Sequence, residues 1–337
     1  MLIGLGVFAF FIAPALALGE ILRCTYLECR RDRIPILLYH RLISRRAVRE
    51  GRLPDREPIY TAYDDVFAAQ MLHLKDNGHT TLTLDEFSDI RRGKRPQPAR
   101  GVVITFDDGY LSNHTLAWPI LRRNAQKATI FVSLEPDTHT RERVAGIDGF
   151  LTQDQMREMD RGGVAIESHT VTHRILSELD DETATRELTE SKRRIGEILG
   201  RTVRHLAIPR SGYNRRIRRL AMAAGYETVC CNNKGSSNGL SSLRALPRIV
   251  IERDMSLDDF ARALSPRGAI ILRLIGNLKR LPAALFGPTA ATRIRDRLYG
   301  GPLAPLFRTH RLKQVIGGGV LAYLLGIAAF TWYLVCR

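Results

Sequence analysis

Apolar positions along this chain come in short continuous runs, and between the runs they recur at the spacing of a helix face. Runs at 35–39, 101–106, 129–133, 164–168, 203–208, 226–231 and 247–251 read as strands. Between them, Asp64 to Asn77 carries Phe67, Met71 and Leu74 at helical spacing, and Leu179 to Leu199 predicts a long amphipathic helix. Thr152 and Gln155 have the spacing of a capping box, which marks a helix start. Such alternation of strands and helices predicts a parallel sheet. No internal repeat is visible, and no low-complexity linker is longer than Arg91 to Arg100.

The two ends depart from this alternation. Gln314 to Cys336 carries no charge over a length that can cross a bilayer, and Trp332 and Tyr333 suit an interfacial aromatic belt. Residues 1–22, charged only at Glu20, read as an uncleaved membrane anchor, with a signal peptide cleaved near Ala15-Leu16-Ala17 as the alternative. Residues 267–313 mix Ile270, Ile271, Leu272, Leu274 and Ile275 with Lys279, Arg280, Arg293, Arg295, Arg297 and Arg308. That mixture fits a basic amphipathic region lying on anionic membrane lipid, or equally a helix covering the core. The expected organisation is an N-terminal anchor or signal segment at 1–22, a core domain at 34–266, the basic region at 267–313 and a transmembrane helix at 314–336.

A formal charge of +16 over 337 residues favours partners that carry phosphate or acidic sugar. Nucleic acid is not expected, because the basic residues are scattered and no nucleic-acid motif is present. Arg23, Arg30, Arg31 and Arg33 follow the first span, and Arg308, Arg311 and Lys313 precede the last, so the positive-inside rule turns the core domain toward the cytoplasm. Cys24, Cys29, Cys230 and Cys231 offer no clear disulfide pairing.

The chemistry concentrates at two strand ends. Asp107 and Asp108 stand directly after the apolar run Gly101-Val102-Val103-Ile104, where adjacent carboxylates repel each other and lose solvation unless a cation compensates. His169-Thr170-Val171-Thr172-His173 follows the run Val164-Ala165-Ile166. Two histidines and one carboxylate make a ligand set of the kind catalytic zinc uses, and the second carboxylate is then free to act as a base on water. Either half alone reads more simply, as an Asp-Gly turn or as two unrelated histidines. Their joint occurrence at the same end of a parallel sheet points to a metal-assisted hydrolase.

Thr105-Phe106-Asp107-Asp108-Gly109-Tyr110 together with His169-Thr170-x-x-His173 resembles the polysaccharide deacetylases of the NodB-homology type, carbohydrate esterase family 4. Pro35-Ile36-Leu37-Leu38-Tyr39-His40 is similar to the circularly permuted branch of poly-N-acetylglucosamine deacetylases, in which the strand bearing the acid histidine comes first. Leu82 to Phe87, Ala128 to Val132 and Leu246-Pro247-Arg248-Ile249 add to the resemblance, which covers roughly residues 34 to 264. It implies an irregular (β/α) barrel of about seven strands, flanked here by N- and C-terminal transmembrane helices.

It also implies roles. Asp108, His169 and His173 would hold one divalent metal ion, zinc before others; Asp107 would be the general base and His40 the general acid. The backbone N–H of Tyr110 would stabilise the oxyanion. Pro209, Arg210 and Tyr213 would line the substrate groove, with Arg210 where an aromatic is common, making that wall cationic and inclining the substrate toward a phospholipid-linked sugar.

The resulting expectation is a membrane-anchored, metal-dependent hydrolase. It would remove N-acetyl groups from an amino-sugar polysaccharide or its lipid-linked precursor, beside polysaccharide biosynthesis machinery. A deformylase or deacetylase of an undecaprenyl-linked amino sugar is one alternative, and a glycan-binding protein without turnover is another. All five catalytic and metal residues are present, which argues against the last. The expected location is integral to a bacterial cytoplasmic membrane, with family habit favouring an external domain against the charge rule.

Overall fold

The structure is a computed structural model that describes residues 13–54, 61–231, 235–253 and 255–277. In chain order come α1 (Ala13–Glu28), β1 (Ile36–Tyr39), β2 (Arg41–Ile43), α2 (Arg45–Arg49), β3 (Thr61–Tyr63), α3 (Asp64–Asp76), β4 (Thr80–Leu82), α4 (Leu84–Arg91) and β5 (Gly101–Phe106). There follow α5 (Trp118–Arg123), β6 (Ala128–Val132), α6 (Thr138–Val144), α7 (Gln153–Arg161), β7 (Val164–Ser168) and α8 (Asp181–Leu199). The last elements are β8 (His205–Ala207), α9 (Arg215–Ala223), β9 (Thr228–Cys230), β10 (Ile249–Val250) and α10 (Leu257–Leu264).

Two compact units divide the chain: Asp32–Ala261, and Met1–Arg31 with Arg262–Arg337. The larger holds a parallel sheet in the order β10-β1-β5-β6-β7-β8-β9, with β4 pairing the first residues of β5. Every residue of β1, β5 and β6 is buried, as continuous apolar runs require when both faces of a parallel sheet are covered. Residues 243–246 run along β9 through bonds from Val229 N–H to Leu243 and from Leu246 N–H to Val229. They lead into β10, which pairs with β1 at Leu37 and Ile249, and this return curls the sheet into a half-barrel. Ile36, Val103, Phe131, Leu82 and Phe87 pack together inside it.

Capping chemistry sets where the helices begin. Thr152 and Gln155 form the expected box at α7, and Thr83 and Glu86 form a second at α4. Strands β2, β3 and β4, three residues each, were not visible as apolar runs because Arg41, Thr61, Thr80 and Thr81 interrupt them.

The flanking transmembrane helices expected from the sequence are corrected here. Among the described residues no helix is long and apolar enough to cross a membrane. Helix α1 is described from Ala13 to Glu28 and carries Glu20, Arg23 and Glu28. Its charges are also committed within the smaller unit. Glu28 is fully buried against Arg273 at 2.6 Å, and Glu20 pairs with Arg23 at 2.7 Å. An integral-membrane location therefore has no helix to carry it among the described residues. Of the segments assigned to membrane contact, residues 1–12, 278–313 and 314–336 lie outside the described residues, and 267–277 are helical.

Candidate metal centre and active site

Three strand ends build the site. Asp107 N–H donates to Tyr39 O at 3.0 Å, so the residues after β1 and β5, His40 and Asp107, stand side by side. The backbone then turns through the left-handed region at Asp108 (φ 75°) and Gly109 (φ 73°). A Cβ on Gly109 would lie 2.8 Å from Val132 Cγ1, so only glycine allows β5 to turn this close to β6. After β7, His169 N–H donates to Val132 O at 2.9 Å, and the loop again turns left-handed at Thr170 (φ 70°) and His173 (φ 62°). Such conformations in residues with side chains persist only where the surroundings enforce them. Here Glu187 of α8 enforces them, with Oε2 accepting the N–H groups of Val171 and Thr172 at 2.9 Å each.

These turns bring Asp108, His169 and His173 together as a buried cluster whose ligand atoms lie within 4.8 Å of one another. Asp108 Oδ1 is 3.3 Å from His169 Nε2 and 3.1 Å from His173 Nε2. Tetrahedral bonds of 2.0–2.1 Å have ligand–ligand edges of about 3.3 Å. The set therefore fits a divalent ion in its chemistry and its spacing. His169 Nδ1 lies 2.8 Å from Ala207 O, an acceptor, which puts the ring proton on Nδ1 and leaves the Nε2 lone pair facing Asp108. His173 Nδ1 lies 3.1 Å from Thr140 Oγ1.

The neighbouring carboxylate has different company. Asp107 accepts two parallel hydrogen bonds from Arg248, at 2.6 and 2.7 Å, and both side chains are buried. Burial alone would raise the Asp107 pKa, but the Arg248 guanidinium, aided by His169, holds it below the ordinary carboxylate value. Asp108 is held well below that value, its burial outweighed by the facing imidazoles of His169 and His173. Burial pulls His169 down, yet the charges of Asp107 and Asp108 leave it raised. At half-buried His40 the surrounding protein prevails and lowers the pKa against the pull of Asp108 and Asp107. The His40 carbonyl accepts from Asn113 Nδ2 at 2.8 Å.

Tyr110 is buried with its ring stacked on Phe150, 5.4 Å between centroids. Burial, then the Asp108 charge and a hydrogen bond to Asp108, raise its phenol pKa. In the antiparallel bridge between Tyr110 and Phe150 the bonds are made by the flanking residues, Leu111 N–H to Gly149 O at 2.8 Å and Leu151 N–H to Gly109 O at 2.9 Å. Tyr110 N–H therefore points away from the bridge.

The groove residues read from the sequence fare differently. Pro209 is buried two residues beyond Ala207, whose carbonyl holds His169. Arg210 does not leave a free positive charge in the groove. Its Nη2 lies 3.2 Å from Asp137 and 2.9 Å from Thr140 Oγ1. Tyr213 donates to Arg244 O at 3.0 Å, and its described interactions are with Arg244, Cys231 and Arg218 rather than the cluster. Glu187 and Thr140 were not singled out in the sequence, and Arg248 entered only within the matching stretch Leu246-Pro247-Arg248-Ile249. Arg248 was the one with a signal, a charged residue inside the otherwise apolar run 247–251, where burial demands a partner.

Residues 94–229 match the family profile described as polysaccharide deacetylase. The Bacillus subtilis (strain 168) protein YxkH, which carries a polysaccharide deacetylase designation, is 31% identical over 224 residues, 66% of this chain and 73% of that protein. The chain belongs to the polysaccharide deacetylase family, and its deacetylase relatives make it a carbohydrate amide hydrolase. The poly-β-1,6-N-acetyl-D-glucosamine N-deacetylase of Escherichia coli (strain K12) is 31% identical over 109 residues, 30% of this chain and 16% of that protein. Among solved structures, the Streptococcus pyogenes deacetylase PplD in complex with acetate superposes with a TM-score of 0.61 at 26% identity, over 70% of this chain and 100% of that one. The de-N-acetylase of Aggregatibacter actinomycetemcomitans shares the fold, with a TM-score of 0.57 at 21% identity over 68% of this chain and 100% of that one.

Proposed function

We propose that this chain removes N-acetyl groups from a polymer of β-linked N-acetylglucosamine, with one zinc ion held by Asp108, His169 and His173. The observation that carries the reading is the contrast between two adjacent buried carboxylates. Asp108 faces two histidine Nε2 atoms, whereas Asp107 is held by the Arg248 fork. One carboxylate is thereby suited to a metal and its neighbour to a proton. The Escherichia coli relative, which acts on poly-β-1,6-N-acetyl-D-glucosamine, supports the substrate class. The strand that leads into His40 comes first in the chain, an order that supports membership of the permuted branch.

A divalent ion bound there supplies Lewis acidity, which polarises the amide carbonyl and makes water acidic near neutral pH. The chain's own groups do the rest. Arg248 keeps Asp107 ionised, and Asp107 takes the proton of the attacking water. Tyr110 N–H donates to the carbonyl oxygen as negative charge grows on it. His40 delivers a proton to the departing nitrogen as the C–N bond breaks, giving acetate and a free amine.

The test is acetate release from β-1,6-linked N-acetylglucosamine oligomers by the wild type and by Asp107→Asn. The variant should lose about 10²–10⁴-fold in rate while keeping its zinc. Equal rates would overturn the assignment of the base.

A further inference from the structure

We infer that Thr140, Asp137 and Arg210 form a hydrogen-bonded lock that fixes His173 as a metal ligand, so that affinity at the centre is set partly from the groove wall. The inference rests on the metal site proposed above. His173 can present the Nε2 lone pair toward Asp108 only if its proton sits on Nδ1. For His169 that choice is enforced by a backbone carbonyl, Ala207 O, which can only accept. His173 faces a hydroxyl instead, Thr140 Oγ1 at 3.1 Å. A hydroxyl has one proton to give and two lone pairs. If Thr140 gave its proton to His173, the imidazole would hold the wrong tautomer.

The surrounding contacts remove that option. The Asp137 carboxylate sits on the same turn, its Oδ1 accepting the Thr140 backbone N–H at 2.8 Å, and offers the hydroxyl proton an anionic acceptor. Arg210 Nη2 donates to Thr140 Oγ1 at 2.9 Å and occupies one lone pair. What remains is a single lone pair, and it can only accept from His173 Nδ1–H.

Each partner is itself held. Asp137 caps α6 by accepting from Thr140 N–H at 2.8 Å, and its own N–H donates to Thr172 O at 3.0 Å in the histidine loop. Arg210 pairs with Asp137 at 3.2 Å and reaches it from a left-handed backbone conformation (φ 50°) that residues with side chains rarely adopt. Burial alone would raise the Asp137 pKa, yet the Thr140 hydrogen bonds and the Arg210 charge leave it lowered. The Arg in the place of a groove aromatic therefore has work that an aromatic could not do.

The experiment is zinc affinity of the full chain, measured by competition with a chromophoric chelator, for wild type, Thr140→Val, Thr140→Ser, Arg210→Met and Asp108→Ala. Thr140→Val should weaken binding by about tenfold to a hundredfold. Thr140→Ser should restore wild-type affinity, and Arg210→Met should weaken it by less than Thr140→Val. Thermal unfolding of the metal-free proteins should be alike for the Thr140 variants, which separates loss of the lock from loss of the fold. Wild-type affinity in Thr140→Val beside lost binding in Asp108→Ala would overturn the lock and leave the metal site standing. A wild type that binds no zinc would overturn both.

Discussion

Arg248 and Asp107 meet through two parallel hydrogen bonds of 2.6 and 2.7 Å with both side chains buried, tying the start of β10 to the end of β5. A buried ion pair of this geometry is held together mainly by what its loss would expose. Arg248→Met leaves Asp107 as an uncompensated charge and should cost about 3–5 kcal/mol of stability. Arg248→Lys keeps the charge but loses the planar fork and should cost less. Urea unfolding of the three proteins checks both statements, and a neutral Arg248→Met would mean that something else holds Asp107.

Gly109 is the second point of stress. An alanine there would meet Val132 Cγ1 at 2.8 Å in a left-handed conformation (φ 73°). Gly109→Ala should destabilise by about 1–3 kcal/mol and displace Tyr110 N–H, lowering turnover more than substrate affinity. Adding Val132→Ala makes room and should recover part of the stability. No recovery in the double variant would show that the backbone conformation, not the contact, sets the cost.

Outside the metal cluster, Asp85 accepts from Arg204 at 2.6 Å and lies 3.2 Å from His205 Nε2. Burial alone would raise its pKa, but the His205 hydrogen bond and charge, with Arg204 and Arg201, bring it from 3.8 to about 2. A carboxyl depressed on folding contributes stability above its unfolded pKa and loses it as pH falls through the folded one. The stability gap between wild type and Asp85→Asn should therefore be full above pH 4 and shrink between pH 4 and pH 2. A gap that is constant with pH across that window would contradict the assignment.

The sheet was legible because its strands are continuous apolar runs. Each of the seven runs overlaps a strand, and those at 101–106 and 164–168 coincide with β5 and β7. The two ligand motifs were legible too, since each follows such a run within a few residues. What escaped was anything set by distant pairing. Arg248 stands 141 residues from Asp107, and Thr140 stands 33 from His173, so local pattern could not join them. Arg210 was read as making the groove wall cationic, and its pairing escaped for the same reason, because Asp137 lies 73 residues earlier. The membrane expectation failed differently. Apolar content near the N-terminus suggested a span, but Glu28 of the same helix is buried in an ion pair with Arg273, which packs that helix against protein.

The central claim is that Asp108, His169 and His173 form a single metal site, and calorimetric titration of the metal-stripped chain with zinc tests it most directly. Wild type should bind one equivalent with heat that vanishes in Asp108→Ala. Undiminished binding in the variant, or none in the wild type, would contradict the claim.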